Sequence, residues 1–168
     1  RIYALAGRYI FIINPSDDAF TTIDLGVGLV GNDMAVFEDY IYIAMNSTLI
    51  KRFGPLSTGG TLSAAHASLN FYWFHVANET LWGVQPISGG GATAALLRKC
   101  IALQSGGAWT AANWSVGDTV GYTQTEINKP MNLGINIFMG KAEGLYTFDA
   151  AGEVKGLMPE FEGYFQQL

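Results

Sequence analysis

The sequence predicts an all-β chain of repeated β-hairpins, arranged as a β-propeller or an arc of one, with a β-sandwich or a β-solenoid as the alternative. Three observations carry this expectation: strong strand runs closed by turn residues, a second strand after each of them, and a near-constant interval between copies. The strand runs are Tyr9–Ile13, Tyr40–Ala44, Phe71–Val76 and Ile135–Met139, all rich in β-branched and aromatic residues. Each is followed by turn residues, such as Asn14-Pro15-Ser16-Asp17-Asp18 after the first and Asn78-Glu79 after the third.

The second strands are Ala19–Leu25, Thr48–Phe53, Thr80–Val84 and Gly144–Asp149, so the pattern reads as four copies of one hairpin. Aligning Ile13, Met45, Val76 and Met139 gives intervals of 32, 31 and 63 residues, the last close to two periods. A weaker fifth copy falls around Ile101–Leu103 and Ala108–Thr110. The units run roughly 1–30, 31–62, 63–106 and 107–168 within a single repeat domain, and Ile10, Ile41, Trp73 and Ile137 should be equivalent positions. A helical period is hard to find. The Ala-rich segment 92–99 is its best candidate, and the Gly89-Gly90-Gly91 prefix favours a loop feeding a strand there. A hairpin cannot bury both faces alone, so its neighbours must stack on it.

Composition narrows the function classes. Hydrophobic residues make up 49% and charged residues 14% of the 168, against roughly 25% charged in ordinary soluble domains. The surface must therefore be covered largely by Gly, Ser, Thr and Asn, which suits an assembly. No apolar run approaches the ~20 residues of a membrane-spanning helix. The formal charge is −5, and Lys51-Arg52 and Arg98-Lys99 are the only basic doublets, so the basic stripe needed for nucleic-acid binding is missing. Cys100 is the single cysteine and sits in an apolar stretch, which reads as a small buried hydrophobe. The start at Arg1, with no initiator Met, raises the expectation of a longer chain or a processed product. Three glycosylation-type sequons, at Asn46, Asn78 and Asn113, are what chance gives in a chain rich in Asn, Ser and Thr.

Local chemistry is sparse. The two histidines, His66 and His75, lack the ligand spacing of a zinc site, and the expectation is no metal, no cofactor and no catalytic residue. Asp17-Asp18, Glu38-Asp39 and Glu160-Phe161-Glu162 could serve a glycosidase or bind calcium, but the first two pairs adjoin strand ends, where acids are ordinary turn residues. Ser57–Thr61 and Ser88–Gly91 lack the Gly-Lys-Ser/Thr ending of a phosphate loop and read as flexible loops. Of the four tryptophans, Trp73 and Trp82 lie in strands and read as core. Trp109 and Trp114 lie in a Gly/Ala/Asn-rich stretch and are the candidates for exposed, ligand-contacting aromatics.

The segment from Ala108 to Glu160 carries a resemblance. Trp109-Thr110, Val116-Gly117-Asp118, the strand Ile135–Met139, the hairpin Gly140–Val154 with its Glu143-Gly144-Leu145-Tyr146 element, and Leu157-Met158-Pro159-Glu160 together resemble blades of β-propeller-like structural proteins in the tails or fibres of tailed bacteriophages. The close match covers about a third of the chain; the three earlier hairpins lack the Glu-Gly-Leu-Tyr element.

The resemblance implies a virion component that binds other virion subunits or copies of itself, without catalysis and located in the virion. The competing reading is an extracellular carbohydrate-binding propeller, a lectin or glycoside hydrolase, meeting a host-surface glycan through Trp109 and Trp114. The scarcity of charge raises one further expectation: stability only within an assembly, through an apolar interface larger than the ~1,200–2,000 Å² of a standard complex.

Overall fold

A computed structural model describes residues 1–46, 50–66, 70–85, 96–100, 114, 115, 117–121, 126–133, 136–148 and 154–156. Within them the chain is all-β, and the only helical element is a single 3-10 turn at Leu56–Thr58. The strands form four antiparallel sheets. The first contains β1 (Ile2–Ala6), β2 (Tyr9–Ile13) and β3 (Phe20–Asp24); the second β4 (Gly31–Phe37), β5 (Tyr40–Met45), β6 (Ile50–Gly54) and β7 (Thr61–His66). The third contains β8 (Trp73–Ala77), β9 (Thr80–Gln85), β10 (Leu96–Lys99) and β11 (Asp118–Thr119); the fourth β12 (Met131–Leu133), β13 (Asn136–Lys141), β14 (Gly144–Phe148) and β15 (Val154–Gly156). In every sheet the spatial order of strands is the chain order.

A two-residue turn recurs in all four sheets: Gly7-Arg8, Glu38-Asp39, Asn78-Glu79 and Ala142-Glu143. Asn78 and Glu79 both take positive φ, 48° and 55°, the conformation that matches the twist of a tight hairpin. The three residues after each turn are Tyr9-Ile10-Phe11, Tyr40-Ile41-Tyr42, Thr80-Leu81-Trp82 and Gly144-Leu145-Tyr146. This pattern, an aliphatic residue followed by an aromatic one just past the turn, is the repeat that the structure supports.

Ile10, Ile41 and Ile137 are each the second residue of the second strand of their sheets, as predicted, but Leu81 and not Trp73 holds that place in the third sheet, Trp73 lying one strand earlier. These four residues, Ile10, Ile41, Leu81 and Ile137, are all buried. The turn joins strands one and two in the first three sheets and strands two and three in the fourth. Of the expected unit boundaries, 30/31 falls between β3 and β4, 62/63 falls inside β7, and 106/107 lies outside the described residues. The Ala-rich segment ends in a strand, β10, with residues 92–95 outside the described set.

Consecutive sheets pack through separate cores. Ile10 of the first sheet meets Ile41, Ile43, Met45 and Phe53 of the second. Tyr42, Ala44 and Ile50 of the second meet Phe74 and Leu81 of the third, together with Phe71 and Trp114. Trp73, Trp82, Val84 and Leu97 of the third meet Ile137, Met139 and Tyr146 of the fourth.

The period of two in a strand explains how one strand serves two cores: alternate residues of β5 point to opposite neighbours, so Ile41, Ile43 and Met45 enter one core while Tyr42 and Ala44 enter the next. That is why Tyr40–Met45 is a continuous apolar run and not an alternating one. Close approach also requires glycine at Gly83, where a Cβ would stand 2.6 Å from the ring of Phe71.

Candidate functional site

Polar side chains from three different sheets gather near β4, β8 and β12. Asp33, in β4, accepts the backbone N–H of Phe74 in β8 at 2.8 Å through Oδ2. Lys129, just before β12, donates to both oxygens of the same carboxylate at 2.6 and 2.7 Å. One turn of pairing away, His75 Nε2 and Asn132 Oδ1 are 2.9 Å apart, joining β8 to β12. Trp73 completes the connection, its indole N–H donating to the Ile127 carbonyl at 3.0 Å from a buried position. An Asp in the middle of a largely apolar strand is costly unless its oxygens are engaged. Both oxygens are engaged here, so the carboxylate works as a fastener between strands.

The acids singled out from the sequence behave in the same way. Asp17 accepts the N–H of Ala19 at 3.0 Å within the β2–β3 turn, and Asp18 occupies the left-handed region at φ 55°. Asp39 accepts the Ser57 N–H at 2.9 Å and the Ser57 hydroxyl, while its carbonyl takes the Leu56 N–H at 2.8 Å. The 57–61 segment is therefore not a loose loop. It is a 3-10 turn strapped to the β4–β5 turn, followed by Gly59 and Gly60 at φ 97° and 69°. Glu160, Glu162 and Ser88–Gly91 lie outside the described residues.

Trp114 corrects the expectation of exposure. It is only 3% exposed, its strand bridge to Cys100 carries it into the second core, and its ring lies 4.6 Å from Phe71 and stacks on Phe74 at 6.2 Å. A ring enclosed in this way presents no face to a sugar. Trp109 lies outside the described residues. Trp73 and Trp82 are core, as expected. His66 lies on β7 and His75 is half-buried; among the described residues no group of three or more His, Cys, Asp or Glu side chains could hold a metal.

Three further polar arrangements were not legible beforehand. Lys141 has a buried ammonium that donates to the Val120 carbonyl and pairs with Glu143 at 3.2 Å, tying the β13–β14 turn to the segment before it. Arg52, also buried, lies over the Tyr40 ring at 4.6 Å, and burial pushes the neighbouring Tyr42 hydroxyl up to about 12 against the opposing pull of Arg52. At the surface Arg8 pairs with Asp24; the hydrogen bonds from Arg8 and from the Gly26 N–H hold that carboxyl below its ordinary value. For Lys141 and Arg52 the advance signal was a cation within a strand; Arg8 lies in a turn and gave none.

No protein family, curated protein or solved structure matches the chain. No helix among the described residues is long and apolar enough to cross a membrane.

Proposed function

We propose that this chain is a non-catalytic structural unit of a larger particle, a propeller-type arc of sheets serving as a tail or fibre component of a tailed bacteriophage. The observation that carries the reading is the Asp33 junction, whose polar groups tie separate sheets to one another. The same junction favours a radial arrangement over a linear one. Lys129, from the approach to the fourth sheet, reaches Asp33 of the second, and in a straight stack the third sheet would separate them. Sheets that converge on a common axis by their first strands allow that contact. The assignment to a phage rests on the resemblance of the Glu143-Gly144-Leu145-Tyr146 hairpin, which forms as a two-residue turn between β13 and β14.

The test is direct. An antibody raised against the chain should decorate the tail or fibre of particles from the phage that encodes it, viewed by negative-stain electron microscopy. Label found solely in the soluble fraction of the lysate would overturn the structural role.

A further inference from the structure

Two junctions between consecutive sheets carry the same arrangement. The chain leaves β3, the last strand of the first sheet, through Leu25-Gly26, and leaves β11, the last strand of the third, through Val120-Gly121. Leu25 and Val120 are both fully enclosed, each in the core that its sheet shares with the next one. Gly26 and Gly121 both take positive φ, 118° and 72°, as the chain turns toward the first strand of that next sheet. The carbonyl of a residue enclosed in this way needs a donor. In both places the donor is a lysine ammonium from the sheet the chain is leading to: Lys51 of β6 donates to the Leu25 carbonyl, and Lys141 of β13 to the Val120 carbonyl. Donor and acceptor lie 26 and 21 positions apart in sequence. Between the second and third sheets, residues 67–69 lie outside the described residues.

The choice of donor has a geometric consequence. Apolar burial is non-directional, so the shared core draws two sheets together without fixing how one is turned against the other. A hydrogen bond has a preferred line, and this one runs between sheets that share no ladder. Its acceptor sits where one sheet ends and its donor inside the sheet that follows, so the path of the connection is tied to the body it must deliver.

We infer that this lysine clasp sets the angle at which one sheet follows another, separately at each junction, so that the curvature of the arc is a sum of local settings. The inference goes beyond the virion reading and stands whether or not that reading holds. The first junction is the place to measure it, because the Asp33 fastener braces the second, third and fourth sheets and does not touch the first.

Spin labels on Thr22→Cys of β3 and Ala64→Cys of β7, both exposed, report the separation of the first two sheets by double electron–electron resonance in a Cys100→Ser background. Lys51→Met keeps most of the stem and removes the donor; the distance distribution should broaden and move from that of wild type. Lys51→Arg restores a donor and should return the distribution toward wild type. Lys141→Met should leave this pair of labels unchanged, since its clasp belongs to the other junction. The near-ultraviolet signal of Trp73 and Trp82 reports an intact fold, and Lys51→Gln, whose amide is one bond shorter than the ammonium it replaces, is the substitute should Lys51→Met fail to fold. A wild-type distribution in Lys51→Met overturns the clasp even where the variant is less stable, because a purely stabilising contact would lower the denaturation midpoint and leave the separation alone. A Lys51→Arg distribution as broad as that of Lys51→Met, or a change at these labels in Lys141→Met, overturns it equally.

Discussion

Lys129 and Asp33 lie 96 positions apart in sequence and 2.6 Å apart in space, and the carboxylate between them also receives the Phe74 N–H. The two halves of this junction differ in energy. Lys129 is half exposed, with its side chain 48% accessible against 17% for Asp33, so the ion pair itself contributes under about 1 kcal/mol. The backbone N–H of Phe74 sits between packed strands, where an orphaned donor costs about 1–3 kcal/mol. Asp33→Asn keeps an acceptor and should lose under about 1 kcal/mol, whereas Asp33→Ala should lose about 1–3 kcal/mol. Urea denaturation of both variants beside Lys129→Met checks the order; a Lys129→Met loss as large as that of Asp33→Ala would contradict it.

Gly83→Ala should cost about 1–3 kcal/mol, since its new methyl would meet a fully buried Phe71 ring that other side chains enclose. Combining it with Phe71→Leu should cost less than the two single changes added together, because the smaller side chain leaves room for the methyl. Thermal unfolding of the four proteins in the cycle measures the coupling, and simple additivity would sink the steric explanation.

Trp114→Ala should destabilise by about 3–5 kcal/mol, the range for removing a large core aromatic. Its readout is the denaturation midpoint. A glycan array should score wild type and the variant alike wherever the variant is folded; selective loss of glycan binding with stability preserved would restore Trp114 as a ligand contact.

Tyr42 gives the chain an alkaline limit. Burial raises its hydroxyl from the ordinary 10 to about 12, so the neutral form is favoured in the fold. For a group whose folded value is raised, the stabilisation is complete below 10 and is lost as pH rises toward about 12. Stability measured against pH should fall across that window, and Tyr42→Phe should flatten the fall. An unchanged slope in the variant would assign the alkaline loss to other groups.

Strand content was legible because the runs around Ile10, Ile41, Phe74 and Ile137 are apolar and β-branched or aromatic over lengths a strand needs. The phase of the repeat was harder to read. Phe71–Val76 is the strongest apolar run near the third turn, yet its strand precedes Asn78-Glu79 as β8, whereas the matching runs in the first two sheets follow their turns. Strength of hydrophobicity misaligned it; turn position aligns it. Trp114 misled for a different reason: its Gly, Ala and Asn neighbours signal a loop, and its burial is decided by the bridge to Cys100 and the rings of Phe71 and Phe74, none of them nearby in sequence. Asp33 gave one faint sign, an acid within an apolar strand, but its partners come from two other sheets.

Because every sheet is laid down in the order of the chain, each can close as soon as its own strands have left the ribosome, without waiting for the C-terminal half. The first sheet then completes before the other three and gains its neighbour on one face within the next stretch of translation.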